Sequence, residues 1–322
     1  MAITNHINLT SQRNKFNFYF PIAVAFIFFF SVASLLAWIF VTQLLRGVFP
    51  SSDFMIPVIS VVFFYLTYYT VARYFRNAPI IKIEGDGITF GKESHLLKDI
   101  EDVYLTGKVP FRYIFRFPME GTTLNFKDGT TRYIYDDLYS NSAQLKSFLD
   151  LVVVKKKPFV EQKDYGIDLS AIDVSSAEVF KGNAIFSLRG LNIVGLIGFF
   201  IYLSVFKVKS IPIGFVIGFS LFSLLWIYLN ARLMNYIKLT GEYLIINNHM
   251  LVWKKSIYRI HDIQEIVFEE QRKAPYSLRI ITKDFLNKLY PAATLRDKTW
   301  LHLKDKLEGH KIKVRNEIKL LK

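Results

Sequence analysis

No charged residue lies between Lys15 and Arg46, and that stretch contains PIAVAFIFFFSVASLLAWIFVTQLL. After the short connection RGVFPSSD, a second apolar run, FMIPVISVVFFYLTYYTVA, extends from Phe54 to Ala72. A helix needs about 20 apolar residues to cross the hydrocarbon core of a bilayer, and both runs reach that length. A second pair follows the same plan: LNIVGLIGFFIYLSVF from Leu191, then KVKS, then IPIGFVIGFSLFSLLWIYLN from Ile211. The third run is the shortest and reaches full span by borrowing Ala184–Leu188, with Arg189 snorkelling. The first run is too long for a signal-peptide core and is followed at once by another span, so it reads as a retained helix. No Asp, Glu, Lys, Arg or His lies inside any of the four runs as quoted, Arg189 preceding the third. Ion paths and proton relays are built from such residues, so the chain does not read as a channel or transporter by itself.

Orientation follows from the basic flanks. Arg13 and Lys15 precede the first pair and Arg73, Arg76 and Lys82 follow it, with Arg46 in the turn. Lys181 and Arg189 precede the second pair and Arg232 and Lys238 follow it, against Lys207 and Lys209 in its turn. Both termini and both large polar segments are expected in the cytoplasm, under an inner (plasma) membrane crossed several times.

The polar segments resemble each other. ITFGKESHLLKDIEDV (88–103) and LVWKKSIYRIHDIQEI (251–266) match without gaps in their apolar pattern. Extended backwards, the alignment pairs Ile81 with Leu244, Ile83 with Ile246, Ile88 with Leu251 and Phe90 with Trp253. It also aligns Lys92 with Lys255 and Asp99 with Asp262. Each copy follows an apolar pair, so the repeating unit is a helical hairpin plus a polar domain. This frame predicts that Phe90 and Trp253 are both core residues.

Within 80–135 the apolar residues alternate with period two, the mark of half-buried strands. IIKIE and GITFG flank Gly85-Asp86, a two-residue turn, which the alignment matches to Asn248-His249. FRYIFRF (111–117) reads as an aromatic strand, and TTLNF and TTRYIYD flank Lys127-Asp128-Gly129. Leu145, Phe148, Leu149 and Val152 form a helix face over 140–152, and Trp300, Leu303 and Leu307 form one over 297–308, with Gly309 as C-cap. Short strands, an LLKDIEDV-type segment, an aromatic strand, a KDG hairpin and a closing helix resemble bacterial pleckstrin-homology-like domains. The resemblance covers about half the chain and implies a seven-stranded fold with a binding or scaffolding role and no catalytic residues. Phosphoinositide-binding relatives place basic residues in the first hairpin loop. Glu84-Gly85-Asp86-Gly87 and Asn247-Asn248-His249-Met250 do not.

The formal charge of +14 is unevenly distributed. Residues 76–182 hold 15 Lys/Arg and 16 Asp/Glu, whereas 232–322 hold 19 against 10. The basic residues Lys254, Lys255, Arg259, Lys311, Lys313, Arg315 and Lys319 are the candidate contacts to anionic lipid headgroups, at about 1 kcal/mol each near the surface. No nucleic-acid partner is expected. With no cysteine, disulfides, thiolate metal sites and a cysteine nucleophile are excluded. The six histidines have no metal-ligand spacing, and no phosphate loop or nucleophile motif occurs, so no catalytic, cofactor or metal residue is nominated. Asp99 and Asp262 read as carboxylates fixing a turn before a buried Ile. Ser175 and Glu178 read as a capping box opening a helix into the third run.

The expectation is therefore an α+β membrane protein. It has two transmembrane hairpins (four helices) and two cytoplasmic pleckstrin-homology-like sandwich or open-barrel domains, each closed by a C-terminal helix. The boundaries are a tail (1–15), hairpin (16–75), domain (78–152), linker (153–182), hairpin (183–231) and second domain with basic tail (236–322). Its expected role is binding or scaffolding of a protein partner or of the anionic leaflet. The alternatives are a membrane enzyme with a site between domains and membrane, or an accessory subunit of a transport complex.

Overall fold

A computed structural model describes residues 8–47, 55–113, 116–160, 176–206, 212–270 and 275–318. The chain divides into two compact units, Met1–Glu161 and Gln162–Lys322. Both are α+β, with largely antiparallel sheets beside long apolar helices.

The first unit opens with β1 (Asn8–Thr10), then α1 (Lys15–Leu45) and α2 (Met55–Asn77). Asn14 caps α1, its Oδ1 accepting from Phe16 N at 3.1 Å and Asn17 N at 3.0 Å. The two helices pack antiparallel: Ser60 Oγ donates to the carbonyl of buried Ala33 at 2.9 Å, Phe29 meets Phe63, and Tyr74 OH donates to Phe18 O. Close backbone approach at a small residue is how helices associate without a hydrophobic driving force. The outward faces remain apolar, with Ile27, Trp38 and Leu45 exposed. Next come β2 (Ile81–Glu84), β3 (Gly87–Phe90), β4 (Glu93–Leu96), a 3-10 turn (Leu97–Asp99) and β5 (Ile100–Tyr104). They are followed by β6 (Lys108–Arg112), β7 (Arg116–Phe126), β8 (Thr131–Tyr135) and α3 (Ser142–Leu149), which runs on as a π-turn over Asp150–Val154. One sheet is ordered β1-β2-β3-β4; in the other, β5, β6 and β8 all pair with the long β7. Residues 111–117, expected as one strand, instead contribute to both arms of the β6–β7 hairpin.

The second unit repeats the plan. β9 (Glu178–Phe180) precedes α4 (Leu188–Phe206) and α5 (Ile213–Ala231), and β10 (Asn235–Leu239), β11 (Tyr243–Asn248) and β12 (Lys255–Arg259) follow. A 3-10 turn (Ile260–Asp262) leads to β13 (Ile263–Glu269), β14 (Ser277–Thr282), β15 (Asn287–Pro291), α6 (Asp297–Gly309) and β16 (Lys313–Asn316). The sheets are β9-β10-β11-β12 and β15-β14-β13-β16, with β16 parallel to β13. The helix is thus not the last element here, and the basic tail closes a sheet edge.

The helices α1, α2 and α5 are long and apolar enough to cross a membrane; the described apolar part of α4, Leu188–Leu203, is shorter. Ala184–Ser187 do not extend it, because Ser187 caps α4, its Oγ accepting from Gly190 N at 3.0 Å. The pair α4–α5 is antiparallel, with Phe199 and Phe200 against Phe219 and Arg189 donating to Asn230.

Strand register corrects the frame in which the copies were aligned. Ile81 faces Phe90 as Ile237 faces Ile246, and Ile83 faces Ile88 as Leu239 faces Leu244, so the offset over β2 and β3 is 156. From β4 onward it becomes 163, since Leu96 faces Gly87 as Arg259 faces Tyr243. It returns to 156 by β7 and β14, where Ile100 faces Phe126 as Ile263 faces Thr282. The second unit carries seven more residues between β11 and β12 and seven fewer between β13 and β14. Trp253 falls in that longer loop and is 78% exposed, whereas Phe90 is buried. The true partner of Phe90 is Ile246, and the counterpart of the Gly85-Asp86 turn is Gly241-Glu242.

From β4 onward the repeat extends to backbone detail. Both units carry the same bulge, between Ile100 and Asp102 and between Ile263 and Glu265. Asp99 O accepts from Lys127 N at 2.9 Å, and Asp262 O accepts from Lys283 N at 2.8 Å. The main-chain carbonyl, not the expected carboxylate, thus ties this turn to the neighbouring hairpin. Residues 8–10 and 178–180, expected in tail and linker, pair with β2 and β10 respectively. Glu178 is therefore in a strand and opens no helix; Ser175 lies outside the described residues. Leu145, Phe148 and Leu149 of α3 and Trp300, Leu303 and Leu307 of α6 fill the two cores as their spacing predicts. The helix after β15 ends one residue beyond expectation: Gly309 is helical, and the left-handed residue is Lys311 (φ 60°). Among the described residues each unit also has a fully buried ion pair, Lys146–Asp136 at 2.6 Å in the first and Arg279–Glu269 at 2.9 Å in the second.

Candidate functional site, a basic groove on the second unit

Strand β10 leaves α5 at Asn235 and reaches its turn after Leu239. At 3.3 Å per residue the far end of the domain lies about 13 Å from the near end along this strand. At the far end four segments converge: the turn Gly241–Tyr243, the end of β12 with its 3-10 turn, the β14–β15 turn at Lys283, and the connection His310–Lys313. Main-chain bonds hold them in place, with Ile260 N donating to Glu242 O and Lys283 N to Asp262 O, both at 2.8 Å. Between them is an open groove of about 880 Å³.

Its lining is basic. Arg259, Lys283, Lys311 and Lys313 line it together with His261 and His310, against the single carboxylate of Glu242. Lys313 lies 3.3 Å from buried Glu265, which Arg315 also approaches at 3.7 Å. Among the described residues no carboxylate pairs with Arg259, Lys283 or Lys311. Lys311 moreover holds a left-handed backbone, which costs a non-glycine residue about 1–3 kcal/mol and is concentrated at functional sites. Its amide donates to Glu308 O at 2.8 Å, so the conformation belongs to the way α6 ends. An open surface with three such cations suits carboxylates or phosphates better than an apolar ligand.

The seven basic residues expected to act together are divided. Arg259, Lys311 and Lys313 line the groove; Arg315 is beside it, bound to Glu265 and to Glu317 at 3.0 Å. Lys254 and Lys255 lie at the opposite, near end, since Lys255 faces Asn247 whereas Arg259 faces Tyr243. Burial, then the charge of Arg232, holds the ammonium of Lys254 below its usual range. Lys319 lies outside the described residues. Lys283, His261 and His310 were not nominated from sequence, although Lys283 was legible as the counterpart of Lys127.

The first unit has a groove of about 550 Å³ at the matching corner, lined by Ser94, His95, Leu96, Asp99, Phe126, Lys127 and Asp128. Its charge balance is different. Leu96 stands where the second unit has Arg259, and Lys127 Nζ donates to Lys98 O at 2.8 Å. Asp128 accepts from Thr130 Oγ1 at 2.6 Å and Thr130 N at 2.8 Å, which lowers its carboxyl below the usual range. His95 stacks on Phe126 at 4.1 Å. Among the described residues no group of three or more His, Asp or Glu is arranged to hold a metal ion. No family model matches the chain, and no curated protein matches it.

Proposed function

We propose that this chain is a multi-pass inner-membrane binding or scaffolding protein. Its two helix pairs cross the bilayer as hairpins, and its two repeated domains are pleckstrin-homology-like modules in the cytoplasm. The paired apolar helices, their exposed outer faces and the basic residues flanking each pair support this arrangement. The second domain is the binding module, and its groove takes an acidic segment of a protein partner. The observation that carries this reading is Arg259, Lys283 and Lys311 gathered on one open surface without carboxylate partners among the described residues. That surface is at the end of the domain away from α5, so it faces solution and not the leaflet that α5 enters. Lys254 and Lys255, at the near end, are the residues placed for anionic headgroups.

Two measurements test the proposal. Reporter fusions at Asp150 and Lys322 should register cytoplasm and one at Ser51 the opposite side; a cytoplasmic signal at Ser51 excludes the hairpin arrangement. Purification of the full chain in mild detergent should yield a stoichiometric protein partner. That partner should be lost when Arg259, Lys283 and Lys311 are changed to Glu and retained when Lys254 and Lys255 are. Loss in both variants, or in neither, removes the groove from the account.

A further inference from the structure

The loop His249–Lys254 is the largest departure of the second unit from the repeat near α5. In the first unit Gly91-Lys92 alone separate the paired residues Phe90 and Glu93, whereas seven more residues separate the matching pair Ile246 and Ser256. Its tip is apolar and uncovered: Val252 is 76% exposed and Trp253 78% exposed. A soluble loop gains nothing from showing both to water, and the core of the unit is complete without them.

The loop is fastened to the end of α5. Buried Asn248 donates from Nδ2 to Ala231 O at 2.8 Å, satisfying one of the helix's last carbonyls. The same amide accepts, through Oδ1, from Met250 N at 3.0 Å and Leu251 N at 2.9 Å. Lys254 N then donates to Leu251 O at 2.8 Å, closing the turn under the tip. One side chain thus fixes both the helix end and the start of the loop. Lys254 and Lys255 flank the tip, and Arg232 ends the helix beside Lys254. A tryptophan next to lysines, at the level where an apolar helix ends, is the chemistry of the membrane–water interface.

We infer that the Met250–Lys255 loop is a membrane anchor, with Val252 and Trp253 inserted at the headgroup–acyl boundary of the leaflet where α5 ends and Lys254 and Lys255 among anionic headgroups. The inference rests on the reading that α5 crosses the bilayer. Its consequence is that the second domain is pinned at its near end, so that the basic groove is held out toward solution.

The chain contains no cysteine, so single-cysteine variants can be labelled directly. Trp253→Cys, Leu221→Cys (mid-α5) and Glu242→Cys (far-end turn), each carrying an environment-sensitive fluorophore, are placed as full chains in phosphatidylcholine–phosphatidylglycerol vesicles with shallow or deep nitroxide lipids. The label at 253 should be quenched several-fold more strongly by the shallow lipid than the label at 242, and the label at 221 most strongly by the deep lipid. Val252→Cys gives a second reading of the loop should Trp253→Cys fail to fold. Quenching at 221 with none at 252 or 253 overturns the anchor while leaving the span intact. No quenching at 221 refutes the span, and the anchor falls with it.

Discussion

At the far corner of each unit the same main-chain bonds join the same turns, yet the side chains that line the two grooves differ in charge. In the first unit Asp99 and Asp128 line the groove beside Lys127, whose Nζ donates to the Lys98 carbonyl of the 3-10 turn; their counterparts Asp262 and Asp284 do not line the second groove. In the second, Arg259, Lys283 and Lys311 face an open groove. The bulge, the 3-10 turn and the bond from Lys127 or Lys283 to an aspartate carbonyl need no particular side chain. The backbone can therefore be repeated while its outward residues diverge. The near ends differ in another way. The first unit spends its extra residues on the β6–β7 hairpin, where Phe111 and Tyr113 pack on Tyr74 of α2. The second spends them on the β11–β12 loop, whose apolar tip leaves Val252 and Trp253 exposed.

If the two tryptophans of the second domain have the roles described, their removal should have opposite consequences. Trp300 is fully buried against Phe268. Trp300→Ala should cost about 3–5 kcal/mol, whereas Trp253→Ala should stay within about 0.5 kcal/mol in detergent, as exposed sites do. Thermal unfolding of the full chain in detergent measures both, and equal losses would place Trp253 in a core. Comparable in size is the expected effect at the buried ion pairs. Lys146→Met beside Asp136 and Arg279→Met beside Glu269 should each cost about 3–5 kcal/mol, the range for removing one partner of a buried pair. Tolerance at one pair and not the other, read by hydrogen exchange of each unit, would show that the cores are not energetically equivalent.

A smaller difference is written in the matching hairpin turns. Gly129 has φ 80°, and Phe285, its counterpart 156 positions on, has φ 63°. Gly129→Ala should cost about 1–2 kcal/mol from backbone strain alone, because a Cβ there meets nothing within 4 Å. Phe285 already bears that strain, offset by burial of its ring. A neutral Gly129→Ala would mean the turn relaxes. The smallest expected effect is at His249, whose imidazole is held below its usual range by burial first and by Lys181 second. A depressed histidine favours the neutral form in the folded state, so its contribution is present above the unfolded value near 6.5 and lost as pH falls below it. The second unit should lose stability as pH falls through and below about 6.5, and His249→Gln should flatten that loss.

Much of this fold was legible from alternation and turn chemistry. Ile81, Ile83, Ile88 and Phe90 mark two strands about Gly85-Asp86, and Leu145, Phe148 and Leu149 mark the helix of the first core. The frame of the repeat was legible over β4 and β5, where Asp99 and Asp262 do correspond, but not over β2 and β3. Leu251 and Trp253 alternate as a buried strand would, and a compensating change of seven residues restored the match further on. Alternation alone does not distinguish an exposed tryptophan such as Trp253 from a buried one. The strands β1 and β9 are three residues each, too short for a periodic signal, and their partners lie beyond a helix pair. The groove was half legible. Arg259, Lys311 and Lys313 were nominated by charge, but only the tertiary fold separates them from Lys254 and Lys255 and adds Lys283.

Binding of a fluorescent oligoglutamate peptide to the full chain in lipid discs tests whether the far corner of the second unit, and not that of the first, is the acidic-ligand site. The wild-type chain should bind it, more weakly as salt rises, since screening acts within about 8 Å at physiological ionic strength. Changing Arg259, Lys283 and Lys311 to Glu should weaken binding at least about tenfold, or ~1.4 kcal/mol, while Lys127→Glu in the first unit should leave it unchanged. Equal binding by the two variants, or binding indifferent to salt, would contradict the account.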